Sequence, residues 1–115
     1  MAWIGTWRNQ YGSELDISDE SNGRIAGAFR TALRDSGFFG ETCEVVGVHV
    51  GDCLTFSFGG RTTKGDMVCS FSGVLRDGKL QTVWHVISDA TEDRSKRPWP
   101  HAVMTNADTF ERVDA

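Results

Sequence analysis

Gly5-Thr6-Trp7-Arg8-Asn9-Gln10-Tyr11-Gly12-Ser13 is the stretch whose reading decides the fold. A Gly-x-Trp on a short strand lets the backbone pack closely against an indole, an arrangement suited to plugging the floor of a small β-barrel. Asn9 and Ser13 then flank a glycine turn and set two small polar side chains where a barrel interior would open. Polar groups facing such an interior need partners, and there they imply a ligand. Singly they also have a plainer use, because Asn and Ser side chains build turns by bonding nearby backbone groups.

Working outward, Ser21-Asn22-Gly23, Gly51-Asp52 and Arg76-Asp77-Gly78 each separate runs rich in Val, Ile, Phe and Thr, the sequence form of a β-hairpin. Longer connections are expected at 33–42, 61–66 and 89–100, which leaves strands near 3–9, 13–19, 24–32, 43–50, 53–60, 67–75, 79–88 and 103–113. The expected fold is all-β, an eight-stranded antiparallel up-and-down barrel, wide enough for one small molecule and free of exposed edges. A helix-like run from Ala26 to Arg34 lacks an N-cap and reads as a strand entering a loop.

Composition agrees. The 115 residues suit a single domain, 1–115, with no linker or second composition regime, and 13 Gly with 2 Pro favour short strands and turns. A net charge of −4 with scattered basic residues offers no stripe to replace phosphate counterions, so nucleic acid is not an expected partner. No apolar run approaches the roughly 20 residues of a membrane span, so no membrane partner is expected either. No signal-peptide core precedes Trp3; the chain is expected to be cytoplasmic, or secreted if a leader has been removed.

Alternation assigns the interior. Ser13, Leu15 and Ile17 share one face of the second strand, Phe29 and Thr31 one face of the third, and Trp84 and Val86 face opposite Val83, His85 and Ile87. Asp108 shares its face with Phe110. A carboxylate inside a barrel is costly unless hydrogen-bonded, so Asp108 needs a structural partner or a ligand donor.

The Gly5 to Ser13 segment, with its Asn9 to Ser13 spacing, resembles the first strand and turn of the avidin and streptavidin family, and Asp108-Thr109-Phe110 resembles its last strand, so the two matches bracket almost the whole chain. The resemblance implies a non-catalytic small-molecule binder holding biotin or a related cyclic urea as bound ligand, with no other cofactor. It implies that Asn9 and Ser13 serve the ureido oxygen, and that Thr31 and Asp108 take the ureido N–H groups. Phe29 stands where the family has a Tyr, keeping the ring and losing the phenolic donor, which implies weaker binding. Trp84 matches a family Trp, Phe71 stands in for a second, and Gly60 leaves the place of a third empty, with Phe58 two residues earlier on the same face. Cys69 and Met67 take the places of hydroxyls that contact the ligand's sulfur and carboxylate tail. Val86 lines the same wall as Trp84. Trp99, framed by Pro98 and Pro100, falls within one position of a family Trp that reaches into a neighbour's site, or it folds over its own barrel mouth.

The family forms dimers and tetramers. Independently, outward Val83 and Ile87 on a strand whose inner face is also apolar call for a covering surface, so a homodimer or homotetramer is expected. Cys43, Cys53 and Cys69 lack metal-site spacing, so no metal is expected. The resemblance makes Cys43 with Cys69 the disulfide to test, while Cys69 reads equally as a buried free thiol. Two rivals remain: a degenerate avidin-like barrel with a different ligand, and a small acid–base enzyme, a cyclase or isomerase, using Asp108.

Overall fold

A computed structural model describes residues 3–62, 65–89, 91–93, 97–98 and 103–113. The strands are β1 (Gly5–Asn9), β2 (Glu14–Asp19), β3 (Arg24–Arg30), β4 (Cys43–Val50), β5 (Cys53–Thr62), β6 (Gly65–Arg76), β7 (Lys79–Ser88), β8 (Thr91–Asp93), β9 (Arg97–Pro98) and β10 (Val103–Arg112). All but β8 and β9 form one closed barrel in the order β1-β10-β7-β6-β5-β4-β3-β2, every pair antiparallel. Closure pairs Asn9 with Phe110 across β1 and β10, so the two segments that frame the chain lie side by side.

Two expectations about connections are corrected. The β5–β6 ladder runs on to Thr62 opposite Gly65, where the Thr62 hydroxyl donates to the Gly65 carbonyl at 2.7 Å, so 61, 62, 65 and 66 are strand residues and not part of a 61–66 loop. The 89–100 connection carries the small β8–β9 pair. Strand ends differ from expectation where side chains replace ladder partners. Residues 3 and 4 fall outside β1 because their N–H groups both donate to Glu20 Oε2 at 2.6 Å. β3 stops at Arg30, and the Ala32 N–H goes to Ser13 Oγ instead of a strand carbonyl.

Trp7 plugs the floor. Its ring is buried, its Nε1–H donates to the Trp3 carbonyl at 3.0 Å, and the Arg112 guanidinium lies 4.5 Å from its centroid while donating to the Ile4 carbonyl. Around the barrel wall, Gly27 and Gly47 let strands close up, since a Cβ at either would run into a backbone carbonyl, of Asp16 or of Thr55. Leu15, Ile17, Ile25, Val45 and Leu80 complete the core with the aromatic rings.

The outer wall has two characters. Over β1–β3 it carries an ion-pair chain, Arg8 to Glu14 at 2.6 Å and Arg30 to Glu14 and Asp16 at 3.0 and 2.7 Å. Hydrogen bonds from Arg8, then Arg30, hold the Glu14 carboxyl below its ordinary range, and the Thr6 hydroxyl, then Arg30, does the same for Asp16. Over β5–β7 the outward positions from Cys53 to Gly59, Val68 to Val74 and Gln81 to Ile87 hold no Asp, Glu, Lys or Arg, and Val68, Val83 and Ile87 are exposed there.

Candidate functional site

At the end opposite Trp7, the β1–β2 turn, the β3–β4 loop and the barrel wall enclose a cavity of about 80 Å³. Its polar side begins with the turn. Asn9 N–H donates to the Ser13 carbonyl and Gly12 N–H to the Asn9 carbonyl, with Gly12 at φ +89°. Asn9 Oδ1 accepts the N–H groups of Tyr11 and Ser13 at 3.0 and 2.9 Å. Its carbonyl is thus spent on the turn, and the plainer role of Asn9 is real. Its Nδ2 donates to Asp108 Oδ2 at 3.0 Å.

Asp108 is buried on β10, and Gln10 Nε2 approaches its other oxygen at 3.3 Å. The carboxylate therefore has two amide donors of its own and does not depend on a ligand for all its partners, as a purely ligand-facing role would require. An ionised carboxylate offers about four acceptor positions, so capacity remains on the cavity side. Beyond Asn9 on the β2–β3 side, Ser13 Oγ accepts the Ala32 N–H at 2.8 Å and Thr31 Oγ1 accepts the Leu33 N–H at 3.2 Å. The hydroxyls stand 3.4 Å apart. At that distance one hydroxyl donates to the other, so one proton of the pair is engaged between them and the other is left to give.

The apolar side is a stack of rings. Phe29 stacks on Phe58 at 4.8 Å, Phe71 on Phe56 at 4.6 Å, and Trp84 stands 6.4 Å from Phe71, with Val86 beside it on the lining. Cys69 completes the wall as a buried thiol whose pKa is pushed up to about 12, first by burial and then by the negative charge of Asp108 and by Cys43. It is a neutral wall atom, not a nucleophile. Cys43, Cys53 and Cys69 are all free, so the Cys43–Cys69 bridge implied by resemblance is not formed and the free-thiol reading of Cys69 describes the chain.

The cavity thus gathers Asn9, Ser13, Phe29, Thr31, Phe58, Cys69, Phe71, Trp84, Val86 and Asp108. Trp99 lies outside the described residues. Met67 is buried but is not on the lining; its Sδ receives the Thr62 hydroxyl at 3.3 Å. Sequence reasoning missed Phe38. This ring from the β3–β4 loop is buried, meets Phe58 edge-on at 5.2 Å, and lies beside Gly60, 3.7 Å from the position a Cβ there would take. Tyr11, Leu33 and Ser36 join it at the rim. The available signal was the pair Phe38-Phe39 within a loop, too apolar to be left in water. No cluster of His, Cys, Asp and Glu among the described residues could hold a metal ion.

A barrel of this topology, with an amide-braced carboxylate and two hydroxyls on the lining of one ring-walled cavity, is built to bind a small ligand with adjacent donor and acceptor groups. The chain matches the Avidin family over residues 1–113 and belongs to it, a family of non-catalytic biotin-binding barrels. The fold is that of solved bacterial avidins. A bradavidin2–biotin complex superposes with TM-score 0.79 at 21% identity, covering 98% of this chain and 99% of that one. A rhizavidin–biotin complex gives 0.79 at 20%, covering 99% and 94%, and apo shwanavidin 0.78 at 20%, covering 99% and 98%. No curated protein matches the chain by sequence.

Proposed function

We propose that this chain binds biotin or a related cyclic urea inside the barrel without turning it over, and holds it less tightly than a barrel with a phenol at position 29. The observation that carries the reading is the gathering of the Asp108 carboxylate and the Ser13 and Thr31 hydroxyls around Asn9 on one side of a cavity walled by Phe29, Phe58, Phe71 and Trp84. A urea presents one carbonyl acceptor flanked by N–H donors and matches that set. Two structurally similar proteins were solved as biotin complexes. Calorimetry with biotin, with 2-imidazolidinone as the bare head group, tests it: saturable binding of biotin near one per chain is expected, and absence of binding to both at millimolar concentration would refute it.

The same proposal includes a homodimer or homotetramer. The charge-free outer field over 53–59, 68–74 and 81–87 supports it, since depletion of charge with exposed Val68, Val83 and Ile87 is the composition of an interface core. A second copy is the occupant with the right chemistry, an uncharged flat sheet of the same kind. Sedimentation should show an oligomer at micromolar concentration, shifted toward monomer by Ile87→Glu, which sets an unpaired carboxylate in that field. A monomeric wild type would remove this part of the proposal.

A further inference from the structure

The β1–β10 ladder ends at Asn9 opposite Phe110, yet the next residue continues it by other means. Gln10 turns its side-chain amide onto β10: Oε1 accepts the Thr109 N–H at 3.0 Å, and Nε2 points at both the Ala107 carbonyl, 3.5 Å away, and Asp108 Oδ1, 3.3 Å away. The amide thus grips the backbone on both sides of Asp108 and the carboxylate itself. Asn9 holds the other carboxylate oxygen from inside at 3.0 Å, so two successive amides fix both oxygens. Gln10 is exposed and does not line the cavity.

From this geometry we infer that Gln10 is a positioning residue for ligand binding, which acts through Asp108 by fixing the rotation of its carboxylate so that the free acceptor positions face the ligand's N–H groups. Strand geometry alone does not fix that rotation, because the terminal torsion of Asp is broad and nearly two-fold. A carboxylate free to turn meets the ligand in the required orientation only part of the time. The inference rests on the proposed head-group reading of the cavity, and it adds a residue that touches no ligand.

Two variants separate the contacts. Gln10→Leu removes every bond. Gln10→Glu keeps an oxygen for the Thr109 N–H while replacing the donor to Asp108 with a second carboxylate. Biotin affinity measured by calorimetry should fall about tenfold in Gln10→Leu and further in Gln10→Glu, the size of one hydrogen bond to a charged group. In an Asp108→Ala background, Gln10→Leu should cost less than about twofold more, because the group it positions is gone. Equal losses in both backgrounds would mean that Gln10 merely supports the turn, and no loss in the wild-type background would mean that the brace is idle; either overturns the inference.

A ligand-free readout keeps this apart from the binding proposal. Hydrogen exchange at the Thr109 amide should be slow in wild type and fast in Gln10→Leu. A fast-exchanging Thr109 amide in wild type would show that the clamp is absent, whatever the protein binds. If that amide is protected while neither biotin nor 2-imidazolidinone binds, the head-group reading falls and takes the positioning role with it, leaving the clamp as a structural contact.

Discussion

Replacing Asp108 by Ala separates the two duties of this carboxylate, and the structure sets the size of each. On the ligand side the loss is a hydrogen bond to a charged acceptor, roughly 1.5–3 kcal/mol, or about 10- to 150-fold in affinity. On the folding side Asn9 Nδ2 is buried and loses its acceptor, whereas Gln10 is exposed and can turn its amide to water. One orphaned buried donor costs about 1–3 kcal/mol, offset in part because a buried carboxylate no longer has to be desolvated. The net should be near 1 kcal/mol, a fall of roughly 3–6 °C in melting temperature for a domain of this size. Calorimetric titration with biotin and a scanning melt on the same samples read both. An affinity within about twofold of wild type, alongside a lowered melting temperature, would make Asp108 a purely structural carboxylate and refute the head-group assignment.

Phe29→Tyr should tighten biotin binding by about 1 kcal/mol or more, because the ring already lies on the cavity wall and a phenol would add a donor; unchanged affinity would mean that the para position does not face the head group. Phe38→Ala should speed biotin dissociation about tenfold in stopped-flow displacement and cost about 2 kcal/mol of stability, less than a central core ring because its loop can collapse toward Gly60. Iodoacetamide at pH 8 should label Cys43 and Cys69 only after unfolding. Folding raises the Cys69 pKa from the ordinary 9.0 to about 12, so its stabilising contribution is complete below pH 9 and is lost as pH rises between those values. Cys69→Ala should flatten that alkaline limb of the melting profile.

The barrel was legible because its signals are local. Asn22-Gly23, Gly51-Asp52 and Asp77-Gly78 are turn chemistry whose positive φ values appear at Asn22, Gly23, Gly51, Asp77 and Gly78, and alternation carried the inward faces of β2, β3 and β7 without a register error. The misplaced strand ends share a different cause. At Ser13 and Ala32 the backbone N–H groups bond to side chains of Asn9 and Ser13 in place of ladder carbonyls. The first is a local turn bond and the second joins the ends of the paired strands β2 and β3, and alternation along one strand carries no trace of either.

The site divides along the same line. Ser13, Thr31 and Asp108 could be placed by parity because each sits on or beside a strand whose face was already assigned. Phe38 could not, since its position depends on a loop folding back against Phe58 and Gly60, some twenty residues later in the chain. The role of Asn9 was half legible: its type and spacing pointed inward, but the division of its amide, carbonyl to the turn and N–H to Asp108, is set by the pairing of β1 with β10. That division gives the turn and the site a common part. A substitution that loosens the 9–13 turn should therefore weaken the hold on Asp108, and one that removes Asp108 should leave the turn's backbone bonds standing, since none of them passes through the carboxylate.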